Sequence, residues 1–267
     1  MRYYRAKNRA EALRLIKEYP HFLLLCGSTD ITVNLKKKHP VEGLIDISKV
    51  EELRFIKKED ERVEIGALTT VSELLENEKI RHSVPLLHRA SEQFASHQVR
   101  NMATLGGNIA NASPASDFTT VLMALNATVT LGSLKGERTL PLEALLCGYK
   151  CTKLHHEMIL SIHIPLGEHQ WYYRKTGTRE RLNIAKVSLA VVKRGHHYAF
   201  SGASLAPSAV RFKHLESVVN RGTYTEAEIK EALEKDISPS GSFRSTKAYR
   251  MRVVFNMVKE ALATFQA

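Results

Sequence analysis

Cysteine, tryptophan and long apolar segments are scarce in this chain of 267 residues, which has three cysteines and a single tryptophan. The cysteines stand at positions 26, 147 and 151 without a CxxC pair, and three thiols cannot form a closed set of disulfides. We therefore expect a reducing, cytoplasmic environment and no iron–sulfur cluster on this chain, because the common clusters need four thiolates. We also expect neither a membrane span nor a signal peptide, since the apolar run at 22–26 is too short for either.

Acidic residues are outnumbered, because 28 Asp and Glu against 39 Lys and Arg give a formal net charge of +11. Such a surplus favours an anionic partner: nucleic acid, a membrane surface, a phosphate-bearing cofactor or an acidic protein subunit. The basic residues are scattered through all segments and are not interleaved with aromatic residues on one face. A nucleic-acid module is therefore disfavoured, and we expect the surplus charge to serve contacts with other subunits.

The hydrophobic pattern predicts an α+β fold of two domains that divide near Pro165. Before Pro165 we expect a mixture of helices and strands, including a strand at 22–26 that is buried on both faces and a helix that ends at 36–38. After Pro165 we expect an antiparallel meander and then two helices. Capping boxes, in which side chains satisfy free amides at a helix start, are predicted at Thr70 with Glu73 and at Thr225 with Glu228.

The first candidate site is the segment 24–31, Leu-Leu-Cys-Gly-Ser-Thr-Asp-Ile, which places a glycine turn between a strand and a helix. Successive backbone amides in such a turn form a nest that binds phosphate without a cationic side chain. Turns of this composition are also common where no ligand binds. These residues alone leave both interpretations open.

The second candidate is the segment 104–108, Thr-Leu-Gly-Gly-Asn, in a chain with only 14 glycines. The glycine pair indicates close approach of the backbone to a ligand or to another strand. Ser113 and Ser116 supply hydroxyl groups, and Asp117 can accept hydrogen bonds from ribose-type hydroxyls. The alternative is a polar crossover loop in which Asp117 is only a helix N-cap. Two amide-rich loops favour a ligand with two phosphates, although neither a GxGxxG nor a P-loop motif is present.

Catalytic machinery of the protein's own is not evident in the sequence. No Ser-His-Asp set, carboxylate pair or GxSxG elbow stands out. We expect the histidines at 155–156 to point to opposite faces of a strand and those at 196–197 to lie in a turn, so that neither pair closes a metal site. We predict no catalytic residue and no metal ligand. Binding loops without such groups favour a cofactor that supplies its own chemistry.

Two motifs taken together are similar to those of a known family. They are residues 25–31 and residues 99–117, Val-Arg-Asn-Met-Ala-Thr-Leu-Gly-Gly-Asn-Ile-Ala-Asn-Ala-Ser-Pro-Ala-Ser-Asp. The pair resembles the FAD-binding medium subunit of molybdenum hydroxylases, which include xanthine dehydrogenases and carbon monoxide dehydrogenase. Further similar segments at 65–70, 157–165 and 186–190 extend the resemblance over nearly the whole chain.

The resemblance implies a two-lobed FAD-binding domain of the vanillyl-alcohol-oxidase (PCMH) type at 1–165, with lobes at about 1–58 and 59–165. A smaller domain of antiparallel strands and helices is then expected at 166–267. In this family the first loop and the glycine-pair loop hold the pyrophosphate and ribityl chain. The first loop of the family often has Gly-Gly where this chain has Gly27-Ser28. The implied flavin-binding positions are Leu24, Leu25, Cys26, Gly27, Ser28, Thr29, Asp30, Ile31, Phe94, Thr104, Leu105, Gly106, Gly107, Asn108, Ser113, Asp117, Leu160 and Lys175.

The resemblance also implies a role in electron transfer. Similar complexes oxidise substrate at a molybdenum cofactor on a large subunit and pass electrons through 2Fe–2S clusters on a small subunit. The FAD of the medium subunit then delivers them to an acceptor such as NAD+, and a xanthine dehydrogenase is our first expectation. One alternative is a stand-alone FAD-dependent reductase of the same fold superfamily, which the C-terminal half fits poorly. The other is a basic nucleic-acid-binding protein, which the scattered charge disfavours.

Overall fold

The computed structural model describes residues 1–35, 41–179 and 184–266. These residues form three main β-sheets with helices packed around them and one short hairpin. Helices and strands are mixed along the chain, which confirms the α+β prediction. The predicted helix end at 36–38 lies outside the described residues. Within the described ranges, no helix is both long and apolar enough to cross a membrane.

The first sheet is small and parallel. Its strands, in spatial order, are β1 (Arg2–Arg5), β3 (Gly43–Asp46) and β2 (Leu23–Leu25). Helix α1 (Arg9–Glu18) follows β1, and helix α2 (Ile31–Leu35) follows β2. The strand predicted at 22–26 corresponds to β2. Its predicted burial on both faces is wrong, because β2 lies at the sheet edge and Leu23 is 40% exposed.

The second sheet has five antiparallel strands. In spatial order they are β4 (Ile56–Lys58), β5 (Arg62–Gly66), β10 (Met158–Pro165), β6 (Thr128–Ser133) and β7 (Gly136–Pro141). The helices within this part of the chain are α3 (Val71–Glu76), α4 (Glu78–Ser83), α5 (Pro85–Glu92), α6 (His97–Met102), α7 (Leu105–Ala110), α8 (Asp117–Ala124) and α9 (Leu142–Leu145). The capping box of Thr70 and Glu73 at the start of α3 is confirmed.

The third sheet is the predicted antiparallel meander, extended by a short fourth strand. Its strands are β11 (Gln170–Thr176), β12 (Val187–Arg194), β13 (His197–Ala203) and β14 (Val210–Arg211). The helices that follow are α10 (Lys213–Val219), α11 (Glu226–Asp236) and α12 (Lys247–Thr264). The capping box at Thr225 and Glu228 is confirmed, and the apolar stripe predicted for the last helix is buried. Neither β14 nor α10 was predicted.

Helix α8 lies at the junction of the second and third sheets, and all eight of its residues are buried. Side chains of the third sheet, among them Tyr173, Ala190 and Val192, belong to the same hydrophobic cluster as α8 and the second sheet. The other face of the third sheet packs on α10, α11 and α12 to form a separate cluster. The chain segments on the two sides of Pro165 therefore share one core.

Cysteine and histidine placement differs from expectation in two respects. Cys147 and Cys151 form a disulfide across the hairpin of β8 (Leu146–Gly148) and β9 (Cys151–Thr152), while Cys26 is unpaired. The turn brings the two Cα atoms to 5.2 Å, so the expectation of reduced cysteines is wrong for this pair. His155 and His156 lie in a bend and not in a strand, with ring centroids 4.4 Å apart. Of the pair expected in a turn, only His196 lies there, because His197 is the first residue of β13 and pairs with Arg194.

Candidate functional site

A cavity of about 710 Å³ lies beside the edge strand of the first sheet. Its walls come from the loop 26–30 after β2, the turn after β5, the turn between α5 and α6, helix α7 with the loop after it, and the start of β10. Pockets for cofactors and other small ligands span about 300–1,000 Å³, so this cavity is large enough for an extended ligand. Residues of both candidate segments, 24–31 and 104–108, line this cavity.

The loop 26–30 turns the chain sharply between β2 and α2. Ser28 has a φ of 62°, in the left-handed region that residues with a Cβ rarely adopt. Gly27 has no room for a side chain, because a Cβ there would lie 1.7 Å from the carbonyl oxygen of Met102. Among the described residues, none accepts a hydrogen bond from the amides of Gly27, Ser28 or Thr29. The loop can therefore offer backbone donors to an anion.

Helix α7 uses its first amides to dock on the turn after β5. The amide of Leu105 donates to the carbonyl of Thr69 at 3.0 Å, and that of Gly106 donates to Ala67 at 2.9 Å. A Cβ on Gly106 would lie 2.6 Å from the Cβ of Ala67, so this glycine permits close contact with another chain segment. The expectation that this second loop supplies free amides to phosphate is therefore wrong for these two residues.

The cavity side of α7 carries small and polar groups. The amide of Gly107 donates to Thr104 Oγ1 at 3.2 Å. Ser116 Oγ donates to Asn108 Oδ1 at 2.6 Å, which ties α7 to the start of α8. Ser116 is the N-cap of α8, so the alternative in which Asp117 is only an N-cap is wrong.

Asp117 is the buried charged group of the cavity wall. Lys175 Nζ lies 2.6 Å from its Oδ2, and the Tyr173 hydroxyl donates to its Oδ1 at 3.1 Å. Lys175 also donates to the carbonyl of Gln93 at 3.3 Å. Burial raises the pKa of Asp117, and the opposing attraction of Lys175 does not fully offset this effect. Two side chains of β11 thus reach a residue of the cavity wall, so the third sheet supports the site.

Cys26 lines the cavity as a neutral thiol. Burial, reinforced by the carboxylate of Asp46, raises the pKa of Cys26 to about 12. A hydrogen bond with the Thr104 side chain lowers this pKa but does not outweigh burial. Only a thiolate is a strong nucleophile or metal ligand, so Cys26 acts here as a small apolar wall group.

Most of the predicted site residues are brought together by the fold. Those that line the cavity are Leu24, Cys26, Gly27, Ser28, Thr29, Asp30, Ile31, Phe94, Thr104, Gly106, Gly107, Asn108, Ser113 and Asp117. Lys175 reaches the wall through Asp117. Three predicted residues lie outside the wall: Leu25 in β2, and the buried Leu105 and Leu160. The Leu160 side chain packs where a Cβ on Gly132 would stand, on the sheet and not on the cavity.

Sequence reasoning missed several wall residues around Phe94. Ala95, Ser96 and Val99 line the cavity from the turn between α5 and α6. The available signals were Ser96, which caps α6 through the amide of Val99, and Val99 itself, which begins the motif at 99–117. Ala67 and Leu68 also line the cavity, and they fall in the segment 65–70, for which the resemblance implies no binding role.

A family model described as the FAD binding domain in molybdopterin dehydrogenase matches residues 1–167. The glyceraldehyde dehydrogenase medium chain of Sulfolobus acidocaldarius is 31% identical over 94% of this chain and 93% of its own length. The xanthine dehydrogenase FAD-binding subunit of Escherichia coli O157:H7 is 28% identical over 98% of this chain and 94% of that subunit.

The fold is shared with a solved structure of carbon monoxide dehydrogenase from Hydrogenophaga pseudoflava. The matching chain is 29% identical, and the alignment covers 98% of this chain and 96% of that chain with a TM-score of 0.91. The likeness therefore includes the third sheet and the last helices as well as the part that the family model matches.

Proposed function

Because the chain belongs to the family of FAD-binding domains in molybdopterin dehydrogenases, we propose that FAD occupies the cavity of about 710 Å³. The observation that carries this proposal is the loop 26–30, in which the amides of Gly27, Ser28 and Thr29 have no acceptor among the described residues. A pyrophosphate supplies acceptor oxygens and negative charge, which such a loop binds without a basic side chain. The residues present therefore fit the cofactor.

The remaining wall residues suit the rest of the cofactor. Thr104, Asn108 and Ser113 place hydroxyl and amide groups where a polyhydroxylated chain needs partners. Asp117 offers carboxylate oxygens to a ligand hydroxyl while Lys175 and Tyr173 hold its orientation. The Phe94 ring, which packs 4.9 Å from that of Phe118, provides a flat apolar wall. When bound, FAD accepts and passes on electrons, and the protein supplies position and exclusion of water.

We further propose that residues 1–165 hold the FAD, in lobes at about 1–58 and 59–165, and that residues 166–267 form the C-terminal domain. The chain would receive electrons from an iron–sulfur subunit whose own source is a molybdenum-cofactor subunit. What supports this assignment is the similarity, over nearly the whole chain, to medium and FAD-binding subunits of dehydrogenases.

The FAD site is tested by filling the cavity. Gly107→Trp places a large ring beside Thr104 inside the wall, and we expect the purified variant to lose the visible absorbance of flavin. Gly241→Trp is the matched control, because a Cβ there meets only the Lys247 amide at 4.0 Å. Wild-type protein that neither carries FAD nor binds it when supplied would contradict the proposal.

The substrate and acceptor are proposed as xanthine and NAD+. The similarity to the Escherichia coli subunit supports xanthine, while the medium chains for glyceraldehyde and carbon monoxide are similar to the same degree. The native complex should therefore be co-purified and assayed with xanthine, glyceraldehyde and carbon monoxide, each with NAD+ and with an artificial dye. Xanthine-dependent NADH formation is the expected result. Turnover with glyceraldehyde or carbon monoxide in place of xanthine would overturn the proposed substrate. Turnover with the dye but not with NAD+ would overturn the proposed acceptor.

A further inference from the structure

The β8–β9 hairpin carries a reactive group that the cofactor site does not use. Cys147 and Cys151, which form the disulfide, are both exposed. A disulfide is opened by attack of a thiolate on sulfur, and exposed disulfides are more readily reduced than buried structural ones. This pair is therefore accessible to reductants in solution.

The ring that the disulfide closes is small and its backbone is constrained. Between the two cysteines, Gly148 has a φ of 141° and Lys150 has a φ of 50°. Lys150 thus adopts a left-handed conformation that its Cβ disfavours. Covalent closure of the ring limits the conformations open to the turn and so helps to hold Lys150 in place.

Lys150 connects this ring to the two loops that border the cavity. Its amide donates to the carbonyl of Ala112 at 3.2 Å, in the loop between α7 and α8. Its Nζ lies 3.3 Å from Asp30 Oδ2, in the loop after β2. Asp30 lines the cavity, as do Asn111 and Ser113 on either side of Ala112. The position of Lys150 therefore bears on both loops at once.

We propose that the Cys147–Cys151 pair is a thiol–disulfide switch that sets how firmly the two loops hold their ligand. The effect on FAD rests on the proposed function. A thiolate of a dithiol attacks one sulfur, the S–S bond breaks and a mixed disulfide forms, which the second thiol of the dithiol then displaces. Two electrons and two protons pass to the protein, which gains two thiols, while the dithiol becomes a disulfide. The ring is then open, and Lys150 loses its contacts with both loops.

In a reducing compartment persistent disulfides are rare, and those that form are typically transient or redox-sensing. The closed ring of the Cys147–Cys151 disulfide spans only five residues, so by loop closure it stabilises the whole fold less than a disulfide that closes a long loop. The chemistry and the placement both point to a local effect on the neighbouring loops.

The experiment uses the full-length, flavin-loaded chain before and after treatment with dithiothreitol, and it follows release of FAD by fluorescence upon dilution. Thiol titration of denatured samples checks the state of the pair, with one thiol expected before reduction and three afterwards. Reduction should raise the release rate about fivefold, which corresponds to the loss of roughly one net hydrogen bond. The control with Cys147→Ser and Cys151→Ser together should release FAD fast and should not respond to reductant.

An unchanged release rate in fully reduced protein overturns the switch, as does a response to reductant that persists in the double variant. Failure of the oxidised chain to retain FAD at all contradicts the proposed function instead. In that case tryptic cleavage after Lys150 provides the test of the hairpin. Faster cleavage upon reduction supports the opening of the ring, and equal rates overturn it.

Discussion

Three non-glycine residues in the turns around the cavity have a left-handed backbone. They are Ser28, Ala95 and Ala112, with φ values of 62°, 39° and 43°. Each stands in or directly beside the cavity wall, in three separate turns. Conformations of this kind persist only where the surroundings enforce them, and they concentrate at ligand sites. The shape of the cavity therefore depends on strained backbone conformations at these three residues.

Replacement of Ser28 by glycine should stabilise the apoprotein slightly. Relief of the left-handed conformation contributes about 1–2 kcal/mol, and the added freedom of the unfolded chain costs about 0.4–1 kcal/mol. We expect the free energy of unfolding in urea to rise by about 0.5 kcal/mol. Ser238→Gly, at an exposed residue whose φ is not positive, should lower it instead. A loss of stability in Ser28→Gly equal to that control would contradict the strain at Ser28.

The buried pair of Asp117 and Lys175 should dominate the stability of the cavity wall. Asp117→Asn leaves the Lys175 ammonium buried without its carboxylate, and we expect a loss of about 3 kcal/mol in the free energy of unfolding. Tyr173→Phe removes one hydrogen bond to the same carboxylate and should cost about 1.5 kcal/mol. Chemical denaturation of both variants measures the difference. Equal losses would mean that the ion pair contributes no more than the tyrosine.

At the scale of helices and strands, the sequence predicted those features that depend on neighbouring residues in the chain. Both capping boxes and the apolar stripe of α12 could be predicted, because capping and helical periodicity involve residues only a few positions apart. The docking of α7 could not, because its amides are taken by carbonyls of Ala67 and Thr69, more than thirty residues away. The sequence located the two cavity segments, but Leu25, Leu105 and Leu160, which the family resemblance implies as flavin-binding, do not line the cavity, because the direction of a side chain depends on packing against distant segments.

An ion pair between β7 and the residue before β10 makes a prediction about pH. Arg138 on β7 forms two hydrogen bonds of 2.7 and 2.8 Å with the carboxylate of Glu157, just before β10. Hydrogen bonding from Arg138 lowers the pKa of Glu157 below its ordinary value of 4.5. The ion pair therefore adds its full amount to the free energy of unfolding at pH values above 4.5. This stabilisation is lost as the pH falls through the lowered pKa of Glu157 in the folded state.

The free energies of unfolding of wild type and Glu157→Gln, measured in urea, should thus differ by at most about 1 kcal/mol at pH 6 and should converge at low pH. Glu234→Gln is the matched control, since Glu234 is exposed and has no ion-pair partner among the described residues. A difference between wild type and Glu157→Gln that is constant with pH would contradict the linkage.

At the scale of the whole molecule, the boundary near Pro165 separates sheets but not cores. Tyr173, Ala190 and Val192 fill the same cluster as α8 and the second sheet. Lys175 of the third sheet also holds Asp117, a residue of the cavity wall. Stability and cofactor binding should consequently depend on both parts of the chain. The assignment of the surplus positive charge to subunit contacts stays a prediction, which the salt dependence of partner binding can test.

A fragment of residues 1–167 should therefore fail to form a well-packed domain, even though the family model spans it. Without β11 and β12, the buried face of α8 and the Asp117 carboxylate lose their cover. We expect the fragment to bind the dye ANS and to melt without a cooperative transition, in contrast to the full chain. A fragment that unfolds cooperatively and retains FAD would show that the third sheet is dispensable.

The complete burial of α8 has a consequence for hydrogen exchange. An amide proton bonded within a helix that is buried against the third sheet and against α5 and α7 reaches water only through extensive opening of the fold, so the bonded amides of α8 should exchange last. Asp117 stands in the first turn of this helix and in the cavity wall at once. The slowest deuterium uptake in the protein should therefore occur directly behind its binding cavity, so that any ligand there rests against the most persistent element of the fold.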